Sequence, residues 1–202
     1  MTAAIWPADA DHIREAGRRM RAGGVVVFPT DTVYGIGCRA LDAAALGRLY
    51  SVKRRPAEQP VVLLVADQAE AERWAALDVT AMDLMEQFWP GPLTLVLRAK
   101  AGMPQVGPQV ATVALRMPKH EAALALIQET GEAIASSSAN HAGEPPPSSA
   151  REAAAALRDE VDLILDGGPA PIGTASTILD LSGGAPHILR QGVLTHADLF
   201  GR

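Results

Sequence analysis

Uninterrupted apolar runs, more than alternating ones, set the pattern of this chain. Val25, Val26, Val27 and Phe28 follow one another with no polar residue between them, as do the residues from Val61 to Val65. Runs of this length and β-branched character read as strands buried on both faces. Leu93 to Leu97, Thr112 to Leu115, Ile134-Ala135, Leu163 to Leu165, Ser176 to Leu181 and Ile188-Leu189 supply further strands. Between them the period changes. Ile13, Ala16, Gly17 and Met20 recur at helical spacing between a cap at Asp9 and the terminating Gly23-Gly24, and Asp42 caps a helix that runs through Tyr50. Acidic amphipathic pieces follow around Glu70 to Ala76 and Thr80 to Phe88, the second stopped by Trp89-Pro90-Gly91-Pro92. Glu121 to Glu129, Ala150 to Leu157 and Thr195 to Phe200 complete the helices. Two neighbouring strand pairs lack a clear helix between them, so the strict βαβ rhythm of a doubly wound fold is missing. The pattern predicts one α/β domain over residues 1–202, with a mixed parallel and antiparallel sheet flanked by helices.

Composition narrows the class. The chain has 202 residues, 48% of them hydrophobic, and a net charge of −5. That length suits a single core, and the acidic balance means that any contact with phosphate or nucleic acid must come from a local patch. Arg48, Lys53, Arg54 and Arg55 form such a cluster, whose bland alternative is a solvated helix end. The acids Asp67, Glu70, Glu72, Asp78, Asp83 and Glu86 gather elsewhere. Cys38 is the only cysteine, which excludes an internal disulfide and a cysteine-based zinc site and points to a reducing compartment. No apolar run approaches the ~20 residues of a bilayer span, and the N-terminus has no signal-peptide pattern, so a cytoplasmic protein without membrane contact is expected.

The missing motifs are informative. The sequence has no G-x-x-x-x-G-K-[ST] loop, no G-x-G-x-x-G after a strand, no H-E-x-x-H, no C-x-x-C and no G-x-S-x-G elbow. His12, His120, His141, His187 and His196 show no ligand spacing, so no metal held by protein side chains is expected. What remains is a set of hydroxyls and cations at strand ends. Pro29 ends the first buried strand where Thr30, Asp31, Thr32 and Tyr34 present polar side chains, with Gly35 and Gly37 allowing unusual dihedrals. Ser136-Ser137-Ser138-Ala139-Asn140 forms a second hydroxyl-rich exit, and Thr174 to Thr177 a third. Arg116 and Arg190 each leave the C-terminal end of a strand. Either arginine alone suits a surface residue whose stem covers the core. Together with Lys53, Arg55 and the hydroxyl loops they point to an anion-binding floor, because guanidinium forks match carboxylates and phosphates.

The same residues carry a resemblance. Pro29-Thr-Asp-Thr-Val-Tyr-Gly-Ile-Gly37 followed by Lys53-Arg-Arg-Pro56 resembles the opening signature of the YrdC/TsaC family, the threonylcarbamoyl-AMP synthases of tRNA modification. The similarity continues through TVALRMPKH from Thr112, SSSANHAG from Ser136, GTASTILDL from Gly173 and ILRQG from Ile188, and so covers most of the chain. It implies a twisted sheet around a deep concave cleft, and synthesis of threonylcarbamoyl-AMP and pyrophosphate from L-threonine, bicarbonate and ATP with Mg²⁺. Carried over by position, it implies that Thr32, Arg116, Ser136 and Ser176 surround the threonine. It places Lys53, Arg55, Gln59, Thr112, Ser138, Asn140 and Arg190 around ATP, with Lys53, Arg55 and Arg190 serving catalysis. Separate transferase proteins acting on tRNA are the implied downstream partners, with weak contact to tRNA itself. The chain ends ten residues after Gly192, like the short single-domain form.

The sequence departs from the family pattern in places. Leu64 stands where some members have His, Gln59 replaces a common Asn, and Ala142 and Pro146 replace serines. Other readings remain: a double-stranded RNA or tRNA-binding module of the same fold without synthase activity, a carbamoyl-transfer module like that of hydrogenase-maturation proteins, or a relative with a different main activity on the adenylate. With only 4% aromatic residues, the chain offers few platforms for base stacking.

Overall fold

A computed structural model of the chain describes residues 2–54, 59–107 and 111–201. Strands and helices follow in the order β1 (Ala4–Pro7), α1 (Ala10–Arg21), β2 (Val26–Phe28), β3 (Gly35–Arg39), α2 (Ala43–Val52), β4 (Val62–Leu64), α3 (Gln68–Trp74), α4 (Val79–Phe88), β5 (Leu93–Arg98) and β6 (Thr112–Arg116). The second half adds α5 (Glu121–Thr130), β7 (Ile134–Ser138), α6 (Ala150–Leu157), β8 (Leu163–Asp166), β9 (Thr177–Asp180), β10 (His187–Arg190) and α7 (His196–Phe200). Among the described residues the strands form one ten-stranded sheet in the order β1-β8-β2-β3-β7-β4-β6-β5-β9-β10. It is mixed, as the sequence implies: β1 with β8 and β4 with β6 run parallel, while β3 with β7 and β5 with β6 run antiparallel.

Caps start α1 and α2 where the sequence places them, and α4 at an aspartate that the sequence reading did not single out as a cap. The Asp9 side chain accepts the His12 backbone N–H at the start of α1, Asp42 accepts that of Ala45 in α2, and Asp78 that of Ala81 in α4. Two strands are absent from the sequence reading. One is β1, a short edge strand. The other is β3, whose Gly-Ile-Gly-Cys-Arg reads as a turn but pairs with both β2 and β7. Gly35 and Gly37 do not adopt positive φ. They are needed for close approach instead: a Cβ on Gly37 would lie 2.5 Å from Ile134 Cγ2 and 2.8 Å from the Ala135 carbonyl.

The two faces of the sheet are covered unequally, and this positions the pocket. On one face Leu63, Leu95 and Leu115 pack under α2, α3, α4 and α6 in the larger apolar cluster. On the other, α1 and α5 cover Val26, Phe28, Leu64, Ile134, Leu163 and Leu165 with Ile13, Ala16, Met20, Ala122, Ala123, Leu126 and Ile127. The two helices cross closely at Gly17, where a Cβ would meet the Glu129 Cβ at 2.6 Å. Leu64 marks the limit of this cover. Beyond it, on the same face, lies a pocket that no helical residue lines among those described.

Candidate functional site

Strand alternation builds the pocket. Its lining takes every second residue of three adjacent strands, Val62 and Leu64 from β4, Ala114 and Arg116 from β6, and Thr94 and Val96 from β5. The residues between them, Leu63, Leu115 and Leu95, point into the opposite core. Thr30, Thr32 and Gly35 close one side, Ser136, Ser137 and Ser138 leave β7 beside them, and Ser176, Ile178, Leu189 and Arg190 close the other. The pocket has a volume of about 220 Å³. Its walls are apolar at Val62, Leu64, Val96, Ala114 and Ile178, and hydroxyls and two guanidinium groups complete the lining.

The Thr30–Tyr34 turn is held by a directed chain of hydrogen bonds. Thr30 Oγ1 donates to the Val33 carbonyl at 2.6 Å and accepts the Thr32 N–H at 3.2 Å. Because that hydroxyl proton is committed, the 3.1 Å contact between the two threonine hydroxyls makes Thr32 the donor. Thr32 in turn accepts from Arg116 Nη1 at 2.8 Å. Tyr34 anchors the far end of the turn, donating to the Gly168 carbonyl at 2.6 Å and accepting the Gly167 N–H at 3.2 Å. Burial is the main force that pushes its phenol up to about 12.

Arg116 is buried and faces the pocket from the end of β6. Nη2 donates to Asp31 Oδ1 at 2.5 Å and Nε to the Gly91 carbonyl at 3.0 Å. Burial pulls its pKa below the ordinary arginine value; Asp31 opposes that fall and the nearby charge of Arg190 adds to it. A guanidinium remains cationic at neutral pH even so. Across the pocket, Arg190 donates from Nη2 to the Ser176 carbonyl at 2.8 Å and to Ser176 Oγ at 3.1 Å, and Ser176 Oγ lies 2.8 Å from Thr94 Oγ1. Two cations and one buried carboxylate leave a local surplus of one positive charge. No carboxylate stands among the described lining residues, so the donor set suits anionic oxygens rather than a metal cation.

Of the residues singled out from the sequence, Thr32, Arg116, Ser136, Ser138, Ser176 and Arg190 meet in this pocket. Others stand apart from its lining. Lys53 is buried behind it, where its ammonium donates to the carbonyls of Ser138 and Asn140 and so holds the exit of β7. Asn140 borders a separate groove beside the Pro145–Pro147 run, and its amide donates to the His141 and Glu144 carbonyls at 2.8 Å. Thr112 shares the pocket's sheet face but borders a smaller neighbouring cavity. The Gln59 carbonyl accepts from the Tyr50 hydroxyl at 2.8 Å, and its residue is exposed. Arg55 lies outside the described residues. Two described members of the basic cluster are paired: Arg48 with Asp162 at 2.9 Å and Arg54 with Glu160 at 3.3 Å.

Two participants carried no role in the sequence reading. Thr94 is the lone polar residue in the run Leu93 to Leu97, and that hydroxyl in an otherwise apolar strand is the signal for it. Asp31 is quoted in the turn, but its pairing with Arg116 spans 85 residues and has no local sign.

Comparisons with known proteins bear on the whole arrangement. The family model of Sua5, YciO and YrdC, described as "Telomere recombination", matches residues 18–192. The chain is 42% identical over 191 residues to the threonylcarbamoyl-AMP synthase of Bacillus subtilis, covering 91% of this chain and 54% of that protein. It is 37% identical over 177 residues to the threonylcarbamoyl-AMP synthase of Chromohalobacter salexigens, covering 87% of this chain and 95% of the relative. Among solved structures, Pyrococcus abyssi Sua5 complexed with L-threonine superposes with a TM-score of 0.93 at 38% identity, over 98% of this chain and 61% of that one. The chain thus spans about half the length of some curated relatives it matches and nearly all of another.

Proposed function

The chain belongs to the Sua5/YciO/YrdC family, and from that premise we propose that it is an L-threonylcarbamoyl-AMP synthase, a nucleotidyltransferase that supplies the adenylate for N6-threonylcarbamoyladenosine in tRNA. One observation carries the reading: Thr32, Arg116, Ser136, Ser138, Ser176 and Arg190, scattered over 159 positions from 32 to 190, converge on one pocket. The threonine complex of the Pyrococcus abyssi relative supports the choice of amino acid.

In this reading threonine and bicarbonate first give N-carboxy-threonine with loss of water, and its carbamate oxygen attacks the α-phosphorus of ATP as pyrophosphate leaves. The step needs alignment and charge neutralisation more than a protein nucleophile. Arg116 receives the threonine carboxylate beside Thr32, Ser136 and Ser176. Arg190 faces the phosphates from the other wall, so the two guanidiniums draw carbamate and nucleotide together. Lys53 acts from behind, by fixing the Ser138–Asn140 backbone. Apolar Val62, Leu64 and Val96 keep water from the labile carbamate. Mg²⁺ is proposed to arrive on the triphosphate as part of the substrate, where it neutralises phosphate charge. The work is placed in the cytoplasm, upstream of separate tRNA-modifying transferases.

Pyrophosphate release is expected only when L-threonine, bicarbonate and ATP are all present. Arg116→Lys, which keeps a cation beside Asp31 but loses the fork, is expected to raise the threonine KM by about tenfold or more. A threonine-independent release would remove the reading, and an unchanged KM would take Arg116 out of the threonine site.

A further inference from the structure

We infer that Asp31 is the positioning residue of this site: it sets the orientation of the Arg116 guanidinium before any ligand arrives. The inference deepens the proposed synthase reading and rests on it for the identity of the ligand. Asp31 sits outside the pocket lining, buried behind Arg116, with side chains of both residues 7% exposed or less. Its Oδ1 accepts from Arg116 Nη2 at 2.5 Å and from the backbone N–H of Lys119, in the connection between β6 and α5, at 3.1 Å. Its own carbonyl accepts the Ile172 N–H at 3.0 Å. One residue therefore fastens the Thr30–Tyr34 turn to the end of β6, to the connection between β6 and α5, and to the loop that leads to Ser176.

Two effects of this carboxylate oppose each other, and that makes the inference decidable. Asp31 cancels part of the positive charge that would attract an anion. It also removes the rotational freedom of a long side chain, since Asp31, Thr32 and Gly91 together engage Nη2, Nη1 and Nε. A guanidinium has five N–H groups, so donors remain for a ligand after those three bonds. Arg190 supplies the surplus charge on the opposite wall. Orientation is therefore the larger contribution of Asp31, and losing it costs more than the added positive charge returns.

The test compares the full chain with Asp31→Ala and Asp31→Glu, since Asn would keep an oxygen able to accept both bonds now made to Oδ1. Asp31→Ala is expected to raise the threonine KM about tenfold or more while the ATP KM stays within about threefold. Asp31→Glu, which restores a carboxylate, is expected to recover most of the loss. A threonine KM that stays level or falls in Asp31→Ala overturns the inference, because charge then outweighs orientation. So does an equal loss in both substrates with a large drop in melting temperature, the mark of a merely structural role. Nitrogen-15 NMR of arginine side chains decides the same point in the unliganded wild-type protein, whether or not it turns over and whether or not Asp31→Ala folds. The Arg116 signal, assigned by its loss in Arg116→Lys, is expected to show slowed guanidinium rotation with separate Nη resonances. A freely rotating Arg116 there overturns the positioning role, whereas a wild-type chain that makes no adenylate but shows the slowed rotation removes only the synthase reading.

Discussion

A methyl group at position 37 has no room. It would press on Ile134 Cγ2 at 2.5 Å and on the Ala135 carbonyl at 2.8 Å, a backbone atom that cannot move aside without disturbing the pairing of β3 and β7. Gly37→Ala is therefore expected to cost about 1–3 kcal/mol, read as a lower midpoint in denaturant unfolding; equal stability would show that the strands can separate there freely. Its neighbour Cys38 is fully buried, and burial is the main force that pushes its thiol up to about 12 from the ordinary 9.0. The sign follows from linkage. Above pH 9 the unfolded chain gives up this proton while the folded chain keeps it, so the native state loses ground as pH rises from about 9 towards 12. Melting temperature is expected to fall across that window, and Cys38→Ala to flatten the first part of the fall. Tyr34, raised from 10.0 to about 12, sustains the decline at its upper end in both proteins.

At the scale of elements, helices were legible because their caps are local. Asp9 and Asp42 each reach an N–H only three residues ahead, and that spacing is written in the chain; Asp78 caps α4 in the same way but was read only as one of a group of acids. Asp78→Ala is expected to cost about 1 kcal/mol of stability and to leave pyrophosphate release unchanged, since α4 contributes nothing to the pocket lining. A fall in activity without a fall in stability would tie α4 to the site by a route the packing does not contain. Strands were legible where they are apolar throughout. β3 was not, because its glycines answer to Phe28, Ile134 and Ser136, partners that only the folded sheet brings near. Site residues divide in the same way: Arg116 and Arg190 announce themselves at strand ends, whereas the use of Lys53 as a clasp for two distant carbonyls depends on where β7 exits.

At the scale of the molecule, the pocket lies where the helical cover of one sheet face ends, at Leu64 among the described residues. That geometry concentrates charge inside the fold. Outside it, Arg48 and Arg54 are balanced by Asp162 and Glu160, on a chain of net charge −5. At those two positions a phosphate backbone would compete with a carboxylate already in place, which weakens an RNA-binding reading of the two arginines. The most direct measurement supplies carbon-13 bicarbonate with L-threonine and ATP and weighs the product. The account predicts a threonine adduct of AMP that carries the labelled carbon and disappears when any one substrate is omitted. ATP consumption that leaves the label in bicarbonate, with no such adduct, would contradict it.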